Sequence, residues 1–359
     1  MAGKETILIT GATGFIGGWL AETLYLSGLA QVRAGIRSWS SAARLARFPV
    51  EIVRCNVMDR EQIAQAMAEA TSVVHCAIGS RDVIIQGTEN MLDVSLKSGI
   101  RRFVHMSTAE VYGDVKGEID ETAPYQYTGS EYGDSKIEAE KLCWEYYKNG
   151  LPVTVLRPSI VYGPFSKDWT LRLARRLQSG NWGIFEGYGE GTCNLVYVAD
   201  VVSAILLALR HERAVGEAFN LNGCEIITWN QYFKRLSAAL RLPELRVISP
   251  ADSRLRAAIL EPAKAWAQFL LDHFGSPLQR MYERFREAKA AMRLAEGSIK
   301  TTATRADLNL YSRNAVYLTA KAQKVLGYNP RFNVDAGLRM SVRWLEHLGL
   351  VAGDKGWTI

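Results

Sequence analysis

The apolar pattern opens on a short, continuous run, Thr6–Ile9 (TILI), too brief for a helix and fitted to a buried strand. It leads straight into Gly11-Ala12-Thr13-Gly14-Phe15-Ile16-Gly17, and an amphipathic helix follows that stops near Gly28. The unit then recurs. Gln31–Ile36 (QVRAGI), Glu51–Arg54, Thr71–Cys76 (TSVVHC) and Arg102–Met106 (RFVHM) read as the second to fifth strands, with a helix over Gly87–Ser98 before the last of these. Strands alternating with helices at this spacing predict an α/β class fold, a parallel, doubly wound sheet that presents ligands at the carboxyl ends of its strands.

Further along, a helix opens at Tyr132 and runs through Glu145, Trp169–Gln178 reads as another, and Val196–Val201 and Ala218–Leu221 read as strands returning to the first lobe. Ala251–Glu296 is a long helical stretch carrying Trp266, Phe269, Leu270, Met281, Tyr282 and Phe285 at helical spacing, a stripe that fits a core or an oligomer contact. A substrate lid or a peripheral membrane contact is the less favoured use of that stretch. The expected division is a first domain over 1–165, to which 195–224 returns. A smaller, mostly helical lobe is expected over 166–194 and 225–359, with the helical insertion at 251–296.

Composition narrows the class. With 359 residues, 48% hydrophobic and 22% charged, the chain has the make-up of a soluble globular protein large enough for two lobes. The longest apolar run, Val201–Leu209, is too short to cross a bilayer, and Met1–Glu5 leads into the first strand without a leader. Five scattered cysteines with no CxxC pair argue against a metal site or a disulfide framework and point to a reducing cytoplasm. The net charge of +6 favours an anionic ligand or is simply a mildly basic surface. The arginines at 172, 175 and 176 form a solvated face or touch a phosphate, and they lack the aromatic-interleaved basic stripe of a nucleic-acid site.

The glycine run gives the first chemistry. Gly11 permits a tight turn, Gly14 lets backbone approach a pyrophosphate, and Gly17 lets helix and strand pack closely, with Thr13, Phe15 and Ile16 forming the turn and the helix start. A dinucleotide pyrophosphate would sit on the helix N-terminus; the plainer alternative is an ordinary strand–turn–helix. Where an acidic residue would take the adenosine ribose hydroxyls, Arg37 ends the second strand, with Ser38, Ser40 and Ser41 beside it. A guanidinium there suits a 2′-phosphate and predicts NADP(H) in preference to NAD(H), the alternative being a solvent-exposed loop arginine. Asn56-Val57 forms the loop expected at the adenine edge, and Cys76-Ala77-Ile78 and the strand end at Met106 are expected to pass beside the cofactor.

The fifth strand ends in Ser107-Thr108-Ala109-Glu110, and Tyr132 and Lys136 follow on one helix face. A lysine ammonium beside a phenol stabilises the phenolate, and a hydroxyl such as that of Thr108 can hold a substrate oxygen in line for proton transfer. On its own, YxxxK is also a common surface pair.

The motifs GATGFIG (11–17), VVHCA (73–77), GTENML (87–92), STAEVYG (107–113), YGDSK (132–136), LRPSIVYGP (156–164), NLVYVADVVSAI (194–205), GEAFNLNG (216–223) and LGYNP (326–330), with a closing helix around Trp344, occur in an order and spacing that resemble the extended short-chain dehydrogenase/reductase family. That family includes epimerases and dehydratases of nucleotide sugars and the 3β-hydroxysteroid dehydrogenase and dihydroflavonol reductase types. The resemblance covers nearly the whole chain. It implies a Rossmann fold, Thr108 as the substrate-binding hydroxyl, Tyr132 as the acid/base, and Lys136 as the ligand of the nicotinamide ribose. It also implies Pro158 to Ile160 as the nicotinamide wall, and a homodimer through the YxxxK helix, on which Leu142, Trp144, Tyr146 and Tyr147 exceed what one buried face needs.

Within the family the features diverge. Thr108-Ala109-Glu110 resembles the Thr-x-Glu of sugar-nucleotide dehydratases and decarboxylases, which makes Glu110 a second acid/base, while Ala109 replaces the dehydratase Asp. Ser159 stands where the nucleotide-sugar branch has Asn, Cys193 where it has Arg, and the stretch between Ala77 and Gly87 is short. The balance predicts hydride transfer at a secondary alcohol or ketone by an epimerase/dehydratase-like enzyme on a sugar-derived, nucleotide-sugar substrate. The alternatives are an NADPH reductase or dehydrogenase of a less polar alcohol or ketone and, from another class, a non-catalytic cofactor-bound sensor.

Overall fold

The computed structural model describes residues 5–255, 258 and 301–351. The chain divides into two compact units: Met1–Tyr162 with Asn194–Glu225 and Ala315–Asn333, and Gly163–Cys193 with Ile226–Asn314 and Val334–Ile359. The return of 315–333 to the first unit was not legible in sequence. Ala315–Tyr317 adds in parallel to Gly117–Ile119, Tyr328 donates to the Asn222 carbonyl at 2.9 Å, and the Asp200 carboxylate accepts the Arg331 and Phe332 N–H groups at 2.8 and 3.2 Å. Backbone groups 315–333 thus find their partners in the first unit.

That unit is built on seven parallel strands: β1 (Thr6–Thr10), β2 (Gln31–Ile36), β3 (Glu51–Arg54), β4 (Ser72–His75), β5 (Arg102–Met106), β6 (Val153–Pro158) and β7 (Ala218–Leu221). Their order across the sheet is β7-β6-β5-β4-β1-β2-β3, so the chain reverses direction of travel between β1 and β4. Helices α1 (Phe15–Ser27), α2 (Arg60–Met67), α3 (Arg81–Lys97), α4 (Glu131–Lys148) and α5 (Val198–Arg210) cover the two faces. Alternate strand residues serve opposite cores, as the period of two requires. Ile7, Ile9, Val74 and Val104 pack with Leu20, Leu24, Val202 and Ile205 on one side. Leu8, Val73, Phe103 and Val155 pack with Ile63, Met91, Leu92 and Cys143 on the other. Burial on both faces explains why β1 and β4 read as unbroken apolar runs.

Two elements of the first unit differ from the sequence reading. The strand expected over Val196–Val201 is only Leu195–Tyr197, paired with Ile160–Tyr162; α5 starts at Val198, because Val198, Val201, Val202 and Ile205 recur at helical spacing and bury together. Helix α3 begins at Arg81, six residues before Gly87, so the connection after β4 is only residues 76–80.

In the second unit, the helix read over Trp169–Gln178 begins instead as a π-type turn over Lys167–Arg172, in which Leu171 N–H reaches the Ser166 carbonyl at 3.0 Å, and becomes α-helical over Leu173–Gln178. Its arginines do not form one solvated face. Arg176 is buried, bonds both oxygens of Asp307 at 3.1 and 3.2 Å and lies 4.2 Å from the Trp182 ring centroid, whereas Arg172 pairs with Asp168 at 3.4 Å. Trp182, Phe185, Trp229, Phe233 and Tyr311 form the aromatic centre of this unit. The stripe Trp266–Phe285 lies outside the described residues. Among the described residues no helix is long and apolar enough to cross a membrane, and no three acidic, His or Cys side chains form a metal cluster.

Candidate active site

The carboxyl ends of β1, β2, β4, β5 and β6 lie along one edge of the first unit's sheet, which gathers the candidate residues. After β1 the chain turns at Gly11, with φ +64°, and Gly14 N–H closes the turn on the Gly11 carbonyl at 2.8 Å. A Cβ at Gly11 would stand 2.7 Å from the Cys76 carbonyl oxygen, and one at Gly17 2.5 Å from the Gly11 oxygen. Both positions therefore exclude side chains. Gly14 is exposed at the N-cap of α1 with no side chain capping the helix, and Thr13, Phe15 and Ile16 are half-buried around it. A tight backbone cradle ending in an uncapped helix start fits the pyrophosphate of a dinucleotide.

Arg37 is exposed one residue beyond β2. The serines beside it are engaged locally: the Ser38 hydroxyl accepts from Ser40 N–H and meets the Ser40 hydroxyl at 2.7 Å, and Ser41 donates to the Ser38 carbonyl at 2.7 Å. A second arginine, not singled out from sequence, lies close by. Arg44 donates to the Gly14 carbonyl at 3.4 Å and pairs with Glu22 at 3.4 Å, and its guanidinium fills the space a Cβ on Gly18 would need. Asn56 accepts from Met58 N–H at 3.3 Å, and the buried Val57 offers its carbonyl to Asn90 at 3.1 Å, which holds the loop after β3. Beyond β4, Cys76 and Ala77 are half-buried and Ile78 is exposed.

At the end of β5, Met106 is buried and its carbonyl accepts the Lys136 ammonium at 2.7 Å. Lys136 is 2% exposed, and burial lowers its pKa to about 8 against the opposing pull of Cys76, Cys143 and Glu140. Its nitrogen stands 6.0 Å from the Tyr132 ring centroid. Although Tyr132 as a residue is 37% exposed, its hydroxyl end is desolvated, which together with the Glu110 charge pushes the phenol up to about 12; a hydrogen bond with Thr108 pulls the other way. The lowering expected from Lys136 is thus not expressed in the chain by itself, because the ammonium is turned to the Met106 carbonyl. Glu110 is held in place by Ser130, the N-cap of α4, which donates to its carboxylate at 2.7 Å while accepting Gly133 N–H. Thr108, Glu110, Tyr132 and Lys136 are therefore brought together, with Ser130 as a member that sequence reasoning missed.

Pro158 is buried at the end of β6 and Ile160 half-buried. Between them Ser159 donates to Asn222 at 2.9 Å, and Asn222 donates to Asn194 at 2.9 Å, so the serine is committed to a buried polar chain. Cys193, in the second unit, is fully buried, with its thiol pushed up by desolvation. On α4, Leu142, Trp144 and Tyr146 pack on the core, and only Tyr147, at 41%, is exposed. The apolar excess that carried the dimer expectation is thus mostly consumed within the chain.

The sequence model of the NAD dependent epimerase/dehydratase family matches residues 7–222. A curated relative from Escherichia coli O157:H7, N-acetyl-alpha-D-glucosaminyl-diphospho-ditrans,octacis-undecaprenol 4-epimerase, is 27% identical over 69% of this chain and 76% of its own. UDP-glucose 4-epimerase of Vibrio cholerae is 26% identical over 68% and 79%. Among solved structures, that of Thermotoga maritima UDP-glucose 4-epimerase with UDP-glucose superposes with a TM-score of 0.71 at 23% identity, covering 96% of this chain and 99% of that one.

Proposed function

Because the chain belongs to the NAD dependent epimerase/dehydratase family and is an NAD-dependent enzyme, we propose that it acts at a secondary alcohol or ketone of a nucleotide-sugar substrate, as an epimerase/dehydratase-like enzyme with Tyr132 as acid/base. The observation that carries this reading is the convergence of Thr108, Glu110 and Tyr132 beside the buried Lys136. When bound, the nicotinamide supplies hydride acceptance and donation. Thr108 holds the substrate oxygen by hydrogen bonding, and Tyr132 moves the proton at that oxygen. Lys136 carries the positive charge that reaches the nicotinamide ribose and, once turned from the Met106 carbonyl, favours the phenolate. Glu110, whose charge acts on the Tyr132 phenol, is a second acid/base beside it. Ala109, buried at 3%, lacks the carboxylate that water elimination would use, so epimerisation is favoured over dehydration.

The cofactor preference goes with it. Arg37 reads the adenosine ribose and gives NADP(H) the preference over NAD(H). A homodimer is retained on narrower ground, with Tyr147 as its exposed aromatic on α4. The second reading, an NADPH reductase of a less polar alcohol or ketone, is favoured by Ser159 and Cys193, since neither side chain is available to a sugar nucleotide.

Denaturing the purified protein and identifying released nucleotide by ultraviolet and mass spectra, then incubating it with UDP-glucose and resolving the products by NMR, separates the two. Retained nicotinamide cofactor and conversion to the 4-epimer class of UDP-hexose support the proposal. An empty site that consumes NADPH with an apolar ketone, leaving the UDP-hexose unchanged, overturns it.

A further inference from the structure

A single buried carboxylate lies behind the candidate site. Glu140 is fully buried on α4, one turn beyond Lys136 as Lys136 is one turn beyond Tyr132. It accepts hydrogen bonds from three directions: the Ser107 hydroxyl, the Tyr125 hydroxyl at 2.8 Å, and Arg157, whose Nε stands 3.1 Å and Nη2 2.6 Å away. Arg157 is fixed in turn by the Tyr112 hydroxyl at 2.8 Å, and Tyr112 donates to Asn220 at 2.7 Å. Ser107 precedes Thr108, and Arg157 precedes Pro158.

From these contacts we infer that Glu140 is a positioning residue, resting on the active site assigned above: its carboxylate sets the Ser107–Thr108 segment, the Tyr132–Lys136 face and the Arg157–Pro158 strand end in fixed relation. A role in folding alone does not account for it, because a buried ion pair is on balance no more stabilising than apolar side chains of the same shape. The charge also has a definite neighbour. Facing Lys136 are His75 and His105, both kept neutral by burial, the thiols of Cys76 and Cys143, pushed up by burial, the neutral Tyr132 phenol, and Glu140. Glu140, paired with Arg157, is the carboxylate of that set, and its charge supports the ammonium.

The test follows NADH binding to the full chain by fluorescence from about pH 6 to about pH 10, spanning the Lys136 titration, with a thermal melt of each variant. Glu140→Gln is expected to weaken NADH roughly tenfold and to bring the alkaline loss of affinity down by on the order of one pH unit. Glu140→Gln/Arg157→Met, which leaves no uncompensated buried ion, is expected to regain the wild-type melt but keep the displaced profile. A wild-type profile in either variant overturns the proposal. If neither folds, Ser107→Ala decides: weakened NADH supports the proposal and wild-type affinity overturns it. Lys136→Ala separates the two levels. Should it bind NADH as wild type does at every pH, the site reading itself fails and the proposal with it; should it lose NADH while the Glu140 variants do not, only the positioning role falls.

Discussion

Replacing Lys136 by Met should make the cofactor-free protein more stable at neutral pH while disabling it. The lysine is 2% exposed, and burial lowers its pKa from 10.5 to about 8. At 1.36 kcal/mol per pKa unit, holding the ammonium in the folded chain costs about 3 kcal/mol below the lower value. Met is of similar length and apolar; it leaves the Met106 carbonyl without its 2.7 Å donor, a loss of about 1 kcal/mol. The net expectation is a gain of about 2 kcal/mol at pH 7. The sign with pH follows from proton counts. Between about pH 8 and about pH 10.5 the unfolded chain binds the proton that the folded chain has released, so wild-type stability rises through that window and the advantage of the variant shrinks toward zero or reverses. Urea unfolding of both proteins without cofactor, near pH 7 and near pH 10, measures the difference, and other titrating groups cancel between them. A variant less stable than wild type by the same amount at both pH values would refute the reasoning, since it would show Lys136 held as a neutral or well-compensated group.

Three further outcomes are expected. Tyr132→Phe should keep cofactor affinity and lose roughly two to four orders of magnitude in rate on the true substrate, the range for a general acid/base; near wild-type turnover would remove Tyr132 from that role. Gly17→Ala, whose Cβ would stand 2.5 Å from the Gly11 oxygen, should displace the turn, cost about 1–3 kcal/mol in urea unfolding and abolish cofactor binding by calorimetry; unchanged binding would show that the cradle is not the cofactor site. Arg37→Ala should lower NADPH affinity by roughly one to two decades and leave NADH nearly untouched; equal losses, or a wild type that prefers NADH, would return Arg37 to the status of a loop residue.

The sheet was legible because its strands are short segments centred on apolar residues and separated by helical stretches, and β1 and β4 are buried along their whole length. The glycine turn was legible because backbone crowding at Gly11 and Gly17 leaves no other residue type. What failed to show were contacts made across long stretches of chain. Nothing near Ala315 announces a strand that pairs with Gly117–Ile119, and nothing near Arg44 marks it as the neighbour of Gly14. The start of α5 was misread because Val196–Val201 is apolar apart from Asp200, and so short a run fits either period until its partners are known. Glu140 did carry a signal, its place one turn past Lys136, but a carboxylate at that spacing reads as an exposed helix charge until Arg157 and Ser107 are seen to close on it.

Three departures from local rules in the first unit stand at one edge of its sheet. Gly14 begins a helix with no side-chain cap, Lys136 is buried as a cation, and Tyr132 keeps a third of its surface exposed while its hydroxyl is desolvated. Each is unfavourable for folding taken singly, and their coincidence where β1, β4 and β5 end is the pattern of a site maintained against stability. Ser159 and Cys193 behave in the opposite way. Both are satisfied, one by Asn222 and the other by a fully buried setting, and neither departs from what packing alone would choose. The unfavourable features thus stand where the hydride and proton chemistry is proposed, and the positions where the chain diverges from the nucleotide-sugar branch have gone over to structure. On that proposal, selectivity for the substrate must come from other residues than those two, and the reaction is assigned to Thr108, Tyr132 and Lys136.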